Sequence, residues 1–134
     1  AADLGSMLTT ARCEAEALVL MQKHLGDAIA LPATEPIGWF WNAYATALQY
    51  AGQTTEAHTC FAKALDLSRT HRWSRLQSFV LQHWGRSLVE QGEFDQAQVC
   101  FTEALKIRVE LNDPRQASSR RALEALALLR SPSG

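Results

Sequence analysis

Slid along itself by 40 positions, the sequence meets its own pattern: Leu48, Gly52, Ala57, Cys60, Phe61, Ala64 and Leu65 fall on Leu88, Gly92, Ala97, Cys100, Phe101, Ala104 and Leu105. An internal repeat of this length restricts a chain to architectures in which one supersecondary unit is stacked on its neighbours. Each copy is an apolar-periodic segment, a glycine, and a second apolar-periodic segment. The first runs Trp41, Tyr44, Ala45, Leu48, then Gly52, then Ala57, Phe61, Ala64, Leu65; the second runs Leu81, Trp84, Gly85, Leu88, then Gly92, then Ala97, Phe101, Ala104, Leu105. Spacings of i, i+3, i+4 and i+7 place each set on one face of a helix, and the glycine lets the backbone stop and reverse. Each copy therefore reads as a helical hairpin. Small residues at Ala45, Gly85, Ala57 and Ala97 allow close helix approach, and Phe61 and Phe101 are large enough to fill the space between neighbouring hairpins.

Ala and Leu are abundant, Val and Ile scarce, and no segment alternates apolar and polar residues over strand length, so the chain is expected to be all-α. About six helices are expected, near 5–30, 37–51, 54–71, 75–91, 94–111 and 115–130. Ser74 and Gln77 have capping-box spacing for the fourth of these. Asp113 is placed to cap the last, with Pro114 at its first position. The stretch 5–30, ending in Leu25-Gly26-Asp27, reads as a degenerate second helix of a preceding unit, because Leu111-Asn112-Asp113 closes the last full unit in the same way. The loop from Pro32 to Pro36 separates it from the first full hairpin, and 131–134 reads as a tail.

These residues resemble the tetratricopeptide repeat, whose signature is W-x2-LG-x2-Y, then A-x3-F, then A and P. The resemblance covers residues 38 to 111. Arg69 and Val109 stand where the family has a proline, and the period is 40 where the usual repeat has 34. Without the proline the second helix can run on about a turn and a half, which absorbs the added residues. The pattern is thus similar to the longer-period arrays of kinesin light chains and bacterial signalling regulators. A period of 40 also overlaps the HEAT class, against which the A-x3-F-x2-A-L core speaks.

The resemblance implies an α-α superhelix, a solenoid of stacked hairpins, built here as a single domain over 1–134: a degenerate helix at 5–30, repeats at 38–77 and 78–112, and a closing helix at 113–130. It also implies a concave groove lined by the first helices, which takes an extended peptide or a partner helix. Groove positions of the family correspond to Trp39, Asn42, Thr46 and Gln49, then Phe79, Gln82, Arg86 and, less directly, Val89, with Arg120 and Leu123 following on the last helix. The amides can bond a peptide backbone, Arg86 and Arg120 can fork onto carboxylates, and the aromatics can anchor. The competing reading for Trp39 and Phe79 is packing within the hairpin stack, and for Asn42, Gln82 and Arg86 an ordinary solvated face. The clamp of chaperone-binding relatives is not reproduced, since Thr46, His83 and Glu124 replace its asparagine and basic residues.

A formal charge of −1 argues against nucleic acid and anionic membranes as partners. The longest apolar runs, Leu18 to Met21 and Ala122 to Leu129, fall well short of the roughly 20 residues that cross a bilayer. Cys13, Cys60 and Cys100 are odd in number and form no C-x-x-C pair, so a disulfide framework is not expected and a reducing cytoplasm is. Cys60 and Cys100 hold one repeat position beside the phenylalanine and read as small buried hydrophobes. His58 and Cys60 would be splayed about 200° apart on a helix, too far to share a metal. His83 has no nucleophile or orienting acid near it in sequence, and no phosphate-binding glycine loop occurs, so no catalytic residue, metal or cofactor is expected. The basic run from Arg69 to Arg75 contains Trp73; it reads first as a structural turn, and second as a place that could touch an anion.

The last helix is apolar nearly all round from Ala122 to Leu129, whereas a terminal unit should be polar on its outer side. Leu123, Leu126, Leu128 and Leu129 are therefore candidates for self-association. The chain begins at Ala1 without a methionine, which fits a piece of a longer protein. The function expected is non-enzymatic binding of a protein or peptide in the groove, by a cytoplasmic bacterial module that is either free-standing or part of a larger signalling or regulatory protein. The alternative is homo-oligomerisation through the terminal helices, and a local fit of the last helix into the groove end is the plain structural reading.

Overall fold

Four residues spaced 20 apart, Gly52, Arg72, Gly92 and Asn112, have left-handed backbone, with φ of 81°, 58°, 77° and 53°. Each closes a helix by the same hydrogen bond from the following residue to the carbonyl five residues back: Gln53 N to Leu48 O, Trp73 N to Ser68 O, Glu93 N to Leu88 O and Asp113 N to Arg108 O, at 2.8–2.9 Å. This is a Schellman stop, which satisfies the carbonyls a helix end leaves open. The computed structural model describes residue 22 and residues 34–130.

The four stops define five helices among the described residues: α1 (Glu35–Tyr50), α2 (Thr54–Thr70), α3 (Ser74–Glu90), α4 (Phe94–Glu110) and α5 (Gln116–Arg130). No strand occurs among the described residues, so the chain is all-helical there. The count is five where the sequence suggests about six; the helix expected at 5–30 lies outside the described residues. With no proline at Arg69 or Val109, α2 and α4 continue past both positions.

Two capping expectations are corrected. Trp73 caps α3 without any side-chain hydrogen bond, and the Gln77 amide goes to Glu103 Oε2 at 2.8 Å instead of reaching back along its own helix. No capping box forms, because Glu103, already bridged by Arg69 at 2.9 Å, offers a charged acceptor. Asp113 does accept a backbone hydrogen bond, from Arg115 N at 2.9 Å, but Pro114 sits in a turn ahead of α5 rather than at its first position.

The chain falls into two compact units that meet at Ala64 and Leu65, inside α2. In the first, Trp41, Tyr44, Ala45 and Leu48 of α1 and Ala57, Phe61 and Ala64 of α2 are buried. The Phe40 ring stacks on Tyr44 at 5.9 Å, and Lys63 Nζ lies 5.1 Å from the Trp41 ring centre. In the second, α3 packs on α4 and α4 on α5. Its core is Leu76, Val80, Leu81, Leu88, Ala97, Phe101, Ala104 and Leu126. The Phe101 ring presses against Gly85 of its own hairpin, with Cε1 only 2.6 Å from where a Cβ on Gly85 would lie. An aromatic side chain buried to this degree contributes roughly 1.5–3 kcal/mol.

Candidate functional site

Trp39, Asn42, Thr46 and Gln49 follow one another along α1 in the first unit. Trp39 is half-buried and its indole N–H donates to Glu35 Oε2 at 3.3 Å. Asn42 is buried, with 4% exposure, so its amide belongs to the interior of the unit rather than to an open face. The Thr46 hydroxyl donates to the Asn42 carbonyl at 2.9 Å, a bond within its own helix. Gln49 is half-buried.

In the second unit, α3 and α5 enclose a groove of about 430 Å³. Phe101, Ala122, Ala125, Leu126 and Leu129 supply apolar walls, and Gln82, Arg86, Val89, Glu90, Ser118 and Arg121 complete the lining. Two of the expected groove residues, Gln82 and Arg86, are thus brought together with Val89. Arg120 is not in the lining; it is exposed and donates to Gln116 Oε1 at 2.6 Å, while Arg121, one residue on, borders the groove.

Phe79, one turn before His83 on α3, is half-buried beneath three guanidinium groups: Arg75 at 5.9 Å, Arg108 at 5.3 Å and Arg115 at 5.1 Å from the ring centre. Arg108 was not among the residues the sequence singled out, yet it is the centre of the polar interior. Only 3% exposed, it donates through Nη1 to Ser119 Oγ at 3.0 Å, Arg115 O at 3.3 Å and Gln82 Oε1 at 3.4 Å, and through Nε to Ser78 Oγ at 3.4 Å. Ser119 donates in turn to Gln82 Oε1 at 2.7 Å. Gln82, 8% exposed, therefore ties α3 to α4 and α5 and presents little of its amide to solvent.

The repeat carries a signal for Arg108. At an offset of 40 it aligns with Ser68, which is itself fully buried and donates to Leu65 O at 2.8 Å. An arginine in register with an inward-facing serine calls for acceptors on the elements packed against it, and Ser78, Gln82 and Ser119 are those acceptors.

Burial and the neighbouring charges of Arg86 and Arg108 push the His83 imidazole down to about 4, so it is neutral at physiological pH. Burial also lowers the Arg108 guanidinium from its ordinary value, with Asp113 opposing that shift. The Asp113 carboxylate is held below its usual range, first by the Arg115 backbone N–H and then by the Arg115 charge. Burial pushes the Cys100 thiol up to about 11, aided by Glu103, and raises Cys60 as well. Both thiols are protonated and poor nucleophiles. Among the described residues no three His, Cys, Asp or Glu side chains converge as a metal site would need.

On α5 the four leucines of the apolar stretch part company. Leu126 is 2% exposed and spent on the core, and Leu123 is half-buried. Leu128 and Leu129 are 78% and 57% exposed. No described helix is long and apolar enough to cross a membrane. Comparison of the chain with family models, with curated proteins and with solved structures finds no match.

Proposed function

We propose that the chain is a tetratricopeptide-like solenoid module, non-enzymatic and cytoplasmic, that binds a protein or peptide segment along its first helices as part of a larger bacterial signalling or regulatory protein. The observation that carries this reading is the groove between α3 and α5, whose walls are apolar and whose edge bears Arg86, Arg121 and Glu90. Such a surface suits a peptide that buries an apolar side chain and pairs charge at the margin. The test is selection of short random peptides on the immobilised full chain, followed by titration of the selected sequences. Arg86→Ala and Leu129→Ser should each weaken binding about tenfold, the loss of one good interface contact, with an unchanged helical melt. A failure to enrich any peptide, or affinities indifferent to both changes, overturns the reading.

A second reading, self-association, is favoured by the exposure of Leu128 and Leu129 on α5. Neighbouring large apolar side chains this open are a common mark of an interface. Under this reading sedimentation at rising protein concentration gives a dimer or larger species that Leu128→Lys dissociates. A strict monomer across the range removes it.

A further inference from the structure

We propose that the second unit holds an oxyanion site around Phe79, formed by Arg75, Arg108 and Arg115, which receives a carboxylate or phosphate carried by the bound peptide. The proposal rests on the peptide-binding reading given above.

The three guanidinium carbons all lie within 5.9 Å of one ring centre, so no two of them are more than about 11 Å apart. Like charges at this range repel, and inside a protein they are screened less than in water. Among the described residues the carboxylate paired with the cluster is Asp113, which accepts from Arg115 Nη1 at 3.3 Å. Arg108 contributes most to the imbalance. It is buried, and each of its four hydrogen bonds ends on a neutral oxygen: two serine hydroxyls, one amide and one backbone carbonyl. Neutral acceptors satisfy its N–H groups, and the carboxylate that acts on its charge, Asp113, is shared with Arg115.

Arg75 and Arg115 are both exposed and flank the same ring, so an anion can reach them from solvent while Arg108 stands behind. Guanidinium forks match the paired oxygens of carboxylate and phosphate, which is the geometry such a ligand offers. The Phe79 ring lies within cation–π range of all three guanidinium groups. The basic turn from Arg69 to Arg75 finds a use here, since Arg75 is its contribution to the cluster. Charge along the chain leans the same way: ten of the thirteen Lys and Arg fall at residues 65–134, against eight of the fourteen Asp and Glu.

The test titrates inorganic phosphate into the full chain while following arginine side-chain N–H resonances, alongside the peptide selection described above. Saturable shifts at Arg75, Arg108 and Arg115 are expected, and Arg75→Gln and Arg115→Gln should each weaken them about tenfold with no change in the helical melt. Selected peptides should be rich in Asp and Glu, and a phosphoserine version of one such peptide, set beside its glutamate form, tells which oxyanion the site prefers. Saturable shifts with no enriched peptide would keep the oxyanion site and overturn its peptide carrier. Enriched peptides without acidic residues, together with no saturable shift, would overturn the site and leave the peptide-binding reading standing.

Discussion

Gly85 of α3 and Phe101 of α4 are in contact to the point that no side chain fits between them: the ring carbon Cε1 lies 2.6 Å from the position a Cβ would take. The Phe101 ring is 2% exposed, so a methyl added at Gly85 must push it out of its packed position, toward the groove it lines. Gly85→Ala should therefore destabilise the protein by about 1–3 kcal/mol from overpacking, against which Ala's better helix propensity returns up to about 1 kcal/mol. Urea unfolding followed by circular dichroism measures the difference. The double change Gly85→Ala with Phe101→Leu should recover part of the loss, and a single Gly85→Ala variant as stable as the parent would contradict the contact.

Arg72 has a φ of 58° at a stop that Gly52 and Gly92 occupy elsewhere. A β-carbon in left-handed backbone costs roughly 1 kcal/mol, and glycine removes that cost. Arg72→Gly is expected to raise stability by roughly 0.5–1 kcal/mol. Asn112, with its φ of 53°, tolerates the region better, so Asn112→Gly should gain less. The midpoints of two thermal melts decide this, and a larger gain at Asn112 would refute the strain argument.

Arg108 separates packing from hydrogen bonding. Arg108→Met keeps most of the volume and leaves the Ser119 to Gln82 bond intact, so it should change stability by no more than about 1 kcal/mol. Arg108→Ala opens a cavity in the same place and should cost about 2–4 kcal/mol. Equal losses for the two variants would mean that the charge itself holds the three helices together.

His83 gives stability a defined pH dependence. Its folded value is pushed down to about 4, whereas an unfolded histidine titrates near 6.5. Between these values the unfolded chain binds the proton that the folded chain refuses, so stability falls as pH drops from about 6.5 towards 4 and levels off below. The loss is on the order of 3 kcal/mol. Urea midpoints at pH 7 and pH 4.5 should differ in the parent and draw together in His83→Gln. An unchanged difference in that variant would assign the acid sensitivity to other groups.

Helix positions were legible in the sequence because the apolar periodicity and the turn residues recur at a fixed interval. Gly52 and Gly92 mark two of the stops outright. Asn112 is marked by its likeness to Leu25-Gly26-Asp27, whereas Arg72 fills the same backbone role with a side chain that carries no such mark, so that end follows from periodicity alone. The site was less legible. Asn42 and Gln82 are groove residues by the family resemblance; both side chains are buried, Gln82 while still lining the groove. Gln82 goes inward because Arg108 and Ser119, 26 and 37 residues further along, need its carbonyl oxygen. Pairings at that distance leave no trace in local spacing. Arg121 in place of Arg120 at the groove edge is a rotation of about 100° about α5, a difference of one residue that no approximate helix start resolves.

The regular spacing of the four stops also bears on how quickly the second unit can reach its folded form. Between α3 and α4 only three residues intervene, so these two packed helices meet after the shortest chain excursion that a hairpin allows. Loop closure then costs little before contacts repay it, and a topology of this kind folds in microseconds to milliseconds. Nothing in the path from α3 to α5 waits for a distant strand to arrive. The hairpin that carries Gly85 and Phe101 needs nothing beyond residue 110 to close, whereas the bonds of Arg108 to Arg115 and Ser119 wait for the chain that follows.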